Sequence, residues 1–139
     1  MSDPYELKRF VDAQEGVYEQ ACAELRTGRK RTHWMWFVFP QIRGLGSSPT
    51  AVRFAISGME EARGYLEHPV LGSRLCECTR IVVGVEGRSV EEIFGYPDDL
   101  KFHSSMTLFA KAEAEPGIFG RALEKYFGGE MDPETLERI

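Results

Sequence analysis

The sequence predicts an all-α protein that folds as a single compact domain of about seven or eight short helices. Three observations favour this class. Helix start signals recur along the chain, no Asn-Gly hairpin turn separates the apolar runs, and strict alternation of polar and apolar residues is rare. With 139 residues, of which 42% are hydrophobic, the chain has the size and balance of one core. We therefore assign residues 1–139 to one domain.

Two helices are predicted to form a hairpin at the N-terminus. Asp3 and Pro4 combine an N-cap with a first-turn proline, which begins a helix extending to about Gln14. A second amphipathic helix starts near Gly16 and is expected to end at Gly28, because glycine commonly terminates helices.

Two more helices are predicted after a central aromatic segment. Ser48 and Pro49 repeat the start signal before an apolar stretch. Ser57, with Glu60 three residues later, has the spacing of a capping box and is expected to open a helix that extends to Leu66.

The second half of the chain continues this pattern. His68 and Pro69 are expected to turn the chain into a helix, which we extend through the β-branched residues 81–83 even though such residues also favour strands. Ser89 and Glu92 have capping-box spacing and predict a further short helix.

The last three helices are indicated by further start and stop signals. Asp98 or Asp99 is expected to cap a long helix. Pro116 begins the next helix, Gly128 ends it, and Asp132 starts a final turn.

Composition narrows the range of functions. The net charge of -5 disfavours a dedicated nucleic-acid binder, although the local basic run of Arg26, Arg29, Lys30 and Arg31 leaves phosphate contact as a weaker alternative. No apolar run approaches the length of about 20 residues that crosses a bilayer, and the first residues lack the order of a signal peptide. We expect a cytoplasmic protein with no membrane contact.

The cysteines give no sign of a metal site or a disulfide framework. Cys22, Cys76 and Cys78 are odd in number, and the Cys-x-Cys pair has no further cysteine or histidine nearby. We therefore predict no metal and no cofactor.

A basic run that leads into an aromatic segment is the first candidate for function. Arg29 and Lys30 can recognise a phosphate or carboxylate, and His33 can hold or transfer a proton. Trp34 or Trp36 can stack on a planar group. For most rings of the aromatic segment, however, the helical spacing favours packing in the core.

The loop after the aromatic segment is a second candidate. Gln41 can recognise polar groups, and Ser47 supplies a hydroxyl between glycines that allow a ligand to approach the backbone. A plain turn followed by an N-cap at Ser48 explains the same residues and is favoured over an anion site.

The helix predicted after Asp98 is a third candidate. Lys101 and Ser104 are three residues apart, so they can share one helix face and either hold an anion or activate a hydroxyl. A surface pair is the alternative. No complete catalytic motif is present, so the catalytic residues stay unassigned.

Five segments of the chain carry a family resemblance: His33 to Gln41, Gly44 to Ser48, His68 to Leu75, Ile93 to Lys101 and Ser104 to Phe109. They closely resemble the bacterial domain-of-unknown-function family 1810. The resemblance covers nearly the whole chain and implies a mainly helical single domain, but the family brings no activity with it.

A more distant likeness is to helical domains predicted to act on NAD and ADP-ribose derivatives, which also combine an aromatic segment with a later Asp-x-x-Lys helix. Asp98 and Lys101 have that spacing.

We therefore predict a small-molecule site for a nucleotide or ADP-ribose-like anion, with catalysis left open and no protein partner assigned. The alternative is a non-catalytic protein-interaction module that uses an aromatic surface. The predicted ligand-binding residues are Arg29, Lys30, His33, Trp34, Trp36, Gln41, Ser47, Lys101 and Ser104.

Overall fold

The computed structural model describes residues 3–139, and this part of the chain forms ten helices and no strand. The predicted all-α class is confirmed. There are ten helices rather than seven or eight because several have only four or five residues. In chain order they are α1 (Lys8–Gln14), α2 (Tyr18–Arg26), α3 (Met35–Val38), α4 (Pro49–Arg53), α5 (Met59–Glu67), α6 (Leu71–Gly84), α7 (Val90–Phe94), α8 (Asp98–Ala112), α9 (Ile118–Phe127) and α10 (Pro133–Leu136).

Helix α8 lies at the centre of the molecule. It packs against α5, α7, α9 and α10, while α6 packs against α2, α5 and α9. Because neighbours surround α8, it buries polar side chains such as Ser105 and Thr107 together with Phe102 and Phe109. With fifteen residues α8 is the longest helix, and no helix within residues 3–139 is both long and apolar enough to cross a membrane.

Most of the predicted helix boundaries are confirmed by local hydrogen bonds. Ser48 caps α4 through its hydroxyl, and Asp132 caps α10 through its carboxylate. Ser89 and Glu92 form the complete capping box of α7, with reciprocal bonds of 2.8 and 3.1 Å. Gly128 follows α9 with a φ of 62°, the left-handed conformation that ends many helices.

The start of α5 differs from the prediction. Ser57 and Glu60 do not form a capping box, and α5 has no side-chain cap. Instead the backbone N–H of Ser57 donates to Glu61 Oε1 at 2.9 Å. Glu61 is buried and its other oxygen binds Arg9 at 2.8 Å, so an ion pair to α1 fixes this carboxylate where it meets Ser57.

Helix α1 also begins later than the prediction. Asp3 does provide the capping carboxylate, which accepts hydrogen bonds from the backbone N–H groups of Leu7 and Lys8 at 2.8 and 3.1 Å. Residues 4–7 form turns, and regular helix starts at Lys8. The cap therefore acts across an extra turn of chain.

The junction between α5 and α6 depends on two residues. His68 Nδ1 accepts hydrogen bonds from the backbone N–H groups of Val70 and Leu71, so the imidazole holds the turn that the sequence predicts before α6. Four residues after His68, Gly72 packs against the preceding chain. A Cβ atom at this position would lie 2.1 Å from the carbonyl oxygen of Leu66. Only glycine allows α6 to leave α5 at this distance.

We expect Gly72→Ala to lower the free energy of unfolding by about 1–3 kcal/mol, because the added methyl group must displace backbone atoms. Gly84→Ala is the matched control on the same helix, since a Cβ there has no neighbour within 4 Å. Urea denaturation of both variants measures the difference. Equal stability of the two variants would contradict the steric role of Gly72.

Candidate functional site

The basic loop between α2 and α3 is held by one buried carboxylate. Glu24 of α2 accepts five hydrogen bonds. Its Oε1 receives the backbone N–H groups of Arg31 and Thr32 and the indole N–H of Trp34, at 2.7, 3.0 and 3.0 Å. Its Oε2 receives the Thr32 hydroxyl and the Gln20 amide. Glu24 therefore fixes the segment that leads into the aromatic residues.

These hydrogen bonds determine the charge of Glu24. Burial by itself raises the pKa of the carboxyl group, but the hydroxyl of Thr32 and the backbone N–H groups of Arg31 and Thr32 stabilise the ionised form more strongly. The net effect lowers the pKa of Glu24 to about 2. The carboxylate is consequently charged throughout the physiological range.

Two lysines converge on one aspartate at the start of α8. Lys30 Nζ lies 2.8 Å from Asp98 Oδ2, and Lys101 Nζ lies 3.1 Å from Asp98 Oδ1. Each ammonium group also faces an indole ring, Lys30 over Trp34 at 5.0 Å and Lys101 over Trp36 at 4.4 Å. The ion pairs join the basic loop to α8.

Asp98 has a different role from the predicted cap. The residue before α8 is Pro97, and no side chain caps this helix. Asp98 lies in the first turn, where burial raises the pKa of its carboxyl group and the two lysines more than offset this, so that the pKa is lowered overall. Asp99 is buried, and its Oδ1 has no hydrogen-bond partner within the described residues.

The lysine cluster lines a first cleft of about 360 Å³. Trp36 forms part of its wall and is half-buried, whereas Trp34 is only 1% exposed. His33 is exposed at its edge. The remaining lining residues include Lys30, Met35, Phe37, Ser48, Thr50, Asp98 and Lys101.

A second cleft of about 500 Å³ adjoins the first. Trp36, Ser48 and Lys101 line both clefts. Gln41 lines the second one, is 5% exposed, and has no hydrogen-bond partner for its Nε2 within residues 3–139. Its other lining residues include Leu45, Ser47, Leu100, His103, Ser104 and Asp132.

The structure brings eight of the nine predicted binding residues to these two clefts. Arg29 is the exception, because its exposed side chain lies outside both of them. The side chain of Lys30 is only 7% exposed and is paired with Asp98, so it is poorly placed to contact nucleic-acid phosphate. Three of the eight line the first cleft only (Lys30, His33, Trp34), two line both clefts (Trp36, Lys101), and three line the second cleft only (Gln41, Ser47, Ser104).

Lys101 and Ser104 do not form the predicted pair. Ser104 Oγ lies 2.9 Å from Asp132 Oδ2 and 3.1 Å from the carbonyl oxygen of Leu100, while Lys101 binds Asp98. Burial raises the pKa of the Asp132 carboxyl group, but hydrogen bonds from Thr135 and Ser104 lower it overall. The Ser104 hydroxyl therefore contacts the carboxylate of Asp132 rather than the ammonium group of Lys101.

Sequence reasoning missed two polar residues that build the site. The His103 ring stacks on the Phe127 ring with 3.9 Å between the ring centroids, and His103 Nε2 lies 2.8 Å from the carbonyl oxygen of Glu130. The position of Glu24 could have been identified from the sequence, because it follows Ala21 by three residues and therefore lies on the apolar face of α2. A carboxylate on a buried face needs partners.

The fold and the sequence both match a family of uncharacterised proteins. A family model described as "Protein of unknown function (DUF1810)" matches residues 4–139. The chain belongs to the DUF1810 family. This DUF1810 chain is also similar to the crystal structure of the conserved hypothetical protein Rv1873 from Mycobacterium tuberculosis, with 61% identity, a TM-score of 0.96, and coverage of 97% of this chain and 96% of that chain. No curated protein matches it.

Membership of DUF1810 confirms the predicted family and agrees with the helical fold. The family description supplies no activity, and a fold by itself does not determine function. Within the described residues, no group of three or more His, Cys, Asp or Glu side chains is placed to hold a metal ion.

We expect Glu24→Gln to lower the free energy of unfolding at pH 7 by roughly 2–4 kcal/mol. The amide NH2 group that replaces one carboxylate oxygen cannot accept hydrogen bonds from the donors that surround Glu24. Glu19→Gln is the matched control, as Glu19 is exposed on the same helix. Urea denaturation of the wild type and both variants measures the loss. A Glu24→Gln variant as stable as Glu19→Gln would refute the anchoring role.

The stabilisation by Glu24 should also depend on pH. Because its pKa is lowered from 4.5 to about 2 on folding, the contribution is complete above pH 4.5 and is lost as the pH falls towards 2. The stability difference between wild type and Glu24→Gln should therefore shrink over this interval. A difference that stays constant from pH 7 to pH 2 would show that Glu24 ionisation is not the cause.

Proposed function

We propose that this DUF1810 protein binds a small anionic ligand of the nucleotide or ADP-ribose class in the two adjoining clefts. The observation that carries the proposal is the convergence of Lys30 and Lys101 on Asp98 beside Trp36. Two ammonium groups against one carboxylate leave an excess of positive charge in the first cleft, whereas the carboxylates of Asp132 and Glu134 line the second, so the anionic part of the ligand belongs in the first cleft. Such a local excess favours an anion.

Lys101 keeps donors for a ligand, whereas Lys30 is only 7% exposed and contributes through its charge. An ammonium group has three N–H donors. Lys30 uses two of them, on Asp98 and on the carbonyl oxygen of Thr32 at 2.5 Å. Lys101 uses one on Asp98, and the side chain is 23% exposed. Because Asp98 holds both groups in place, binding an anion costs little side-chain ordering.

The shape of the site suits a ligand with a charged part and a planar part. The clefts have volumes of about 360 and 500 Å³, within the range of small-molecule sites. Trp36 lines both of them and offers a surface on which a base can stack. Gln41 and Ser104 add polar groups to the second cleft, where hydroxyls of a ribose would fit.

The proposal concerns binding rather than turnover. Ser104 contacts Asp132, whose lowered pKa makes it a weak base for activating a hydroxyl. The Nε2 of His103 is engaged by a backbone carbonyl group. These contacts do not form a nucleophile and base pair, so we assign no catalytic residue.

The alternative, a protein-interaction module with an aromatic surface, has less support. Trp34 and Phe39 of the aromatic segment are at most 1% exposed, and Trp36 and Phe37 are half-buried. Among the strongly exposed large apolar residues of the described chain, Tyr96 is the one aromatic side chain. The aromatic segment therefore contributes mainly to the core and to the cleft wall.

A ligand screen with a matched pair of lysine variants tests the proposal. ADP-ribose, NAD, AMP and inorganic phosphate are added to the wild type in thermal-shift and calorimetric titrations. At least one nucleotide should raise Tm, because ligands that bind only the folded state stabilise it. Lys101→Ala should weaken that binding about 10-fold to 100-fold, since a charged hydrogen bond is lost.

Lys111→Ala is the control, because Lys111 is exposed near the end of the same helix. It should bind the ligand as the wild type does, and His33→Ala should reduce affinity less than Lys101→Ala does. No stabilisation by any nucleotide would refute the proposed function. Equal binding by Lys101→Ala and Lys111→Ala would place the ligand elsewhere and refute the site.

A further inference from the structure

Two buried thiols are in contact between α2 and α6. Cys22 Sγ and Cys78 Sγ are 3.8 Å apart, although the residues are 56 positions apart in sequence. Cys22 is 3% exposed and Cys78 is fully buried. The third cysteine, Cys76, lies on the same helix as Cys78 and is half-buried. The fold thus selects one pair from three thiols.

The surroundings of the pair are polar on the side of Cys22. Tyr18 contacts Cys22, and its hydroxyl lies 3.5 Å from Glu77 Oε1. Arg26 lies one turn along α2 from Cys22, 4.0 Å from the same carboxylate. Because both sulfur atoms are buried, a small oxidant such as hydrogen peroxide reaches them when the protein opens locally.

The two thiols differ in acidity. A hydrogen bond from Cys78 lowers the pKa of the Cys22 thiol, burial opposes this, and Tyr18 and Arg26 add to the lowering. The same hydrogen bond, together with burial, raises the pKa of the Cys78 thiol. Cys22 is therefore the sulfur with the greater thiolate character, which is the form that reacts with oxidants.

We propose that Cys22 and Cys78 form a redox-active dithiol, which hydrogen peroxide converts into an intramolecular disulfide. The Cys22 thiolate attacks one peroxide oxygen, the O–O bond breaks, and hydroxide leaves as Cys22 becomes a sulfenic acid. Cys78 then attacks the Cys22 sulfur and the S–O bond breaks. The hydroxide from the first step is neutralised by the proton that Cys22 lost on ionising, and the hydroxide from the second step takes the Cys78 proton, so two thiols and one peroxide give one disulfide and two waters.

The geometry permits this bond with small movements. The sulfur atoms must approach from 3.8 Å to the disulfide length of about 2.05 Å. Cys22 is two residues from Glu24 on α2, so the cross-link would fix to α6 the helix that anchors the basic loop.

Peptide mapping of the oxidised full-length protein tests the proposal. The reduced, folded protein is treated with hydrogen peroxide, unfolded in the presence of an alkylating reagent, and digested with a protease that cleaves after Glu77, so that Cys76 and Cys78 fall in different peptides. The expected product has lost the mass of two hydrogen atoms, links the Cys22 peptide to the Cys78 peptide, and keeps Cys76 alkylated. Its Tm should exceed that of the reduced protein by roughly 5–10 °C, because a long loop is closed.

Serine variants separate the proposed pair from the other thiol. Cys76→Ser should form the cross-link at the wild-type rate, whereas Cys22→Ser and Cys78→Ser should not form it. The wild-type map decides the question even if a variant fails to fold. A cross-link that includes Cys76, oxidation of Cys22 to sulfinic acid without a cross-link, or three thiols that stay alkylatable would each overturn the proposal.

Discussion

The buried carboxylate of Glu24 is the interaction on which the candidate site depends. It accepts five hydrogen bonds, and these connect α2 to the basic loop and to the indole of Trp34. Taking a carboxylate out of water is costly, and only a full set of donors offsets that cost. Without Glu24 the loop that carries Lys30 would lose its tie to α2.

The second constraint is the ion-pair cluster that joins this loop to α8. Asp98 holds Lys30 from the loop and Lys101 from α8, which are 7% and 23% exposed. The aromatic wall and the two ammonium groups are therefore held in fixed positions. For the ligand proposed above, preorganisation of this kind lowers the cost of ordering side chains on binding. The same cluster removes Lys30 from the surface, whereas Arg26, Arg29 and Arg31 of the basic run stay exposed.

Local signals in the sequence were enough to predict most of the fold. Ser48, Ser89 and Asp132 act within one helical turn, so their capping roles can be identified from neighbouring residues. The capping box predicted at Ser57 does not form, and the cause is a long-range contact. The Ser57 N–H binds the carboxylate of Glu61, which Arg9 holds in place from another helix. Capping patterns do not contain such contacts.

The candidate site was predictable in its residues but not in its pairings. The aromatic and basic residues identified by type and spacing line the clefts, with the exception of Arg29. The sequence predicts Asp98 as a helix cap, because its ion-pair partner Lys30 is remote in the chain. It predicts Ser104 as a partner of Lys101 from their spacing alone, whereas Ser104 binds Asp132. Which side chains meet across helices depends on packing that one sequence does not specify.

The indole N–H signals of the two tryptophans offer the most direct test of the proposed anion cleft. In ¹H–¹⁵N spectra, titration with ADP-ribose should shift the Trp36 signal saturably, because this ring lines both clefts. The Trp34 signal should move less, since its N–H is bound to Glu24. Saturable shifts at Trp36 that are lost in Lys101→Ala would support the account. An unchanged Trp36 signal at saturating ligand would contradict it.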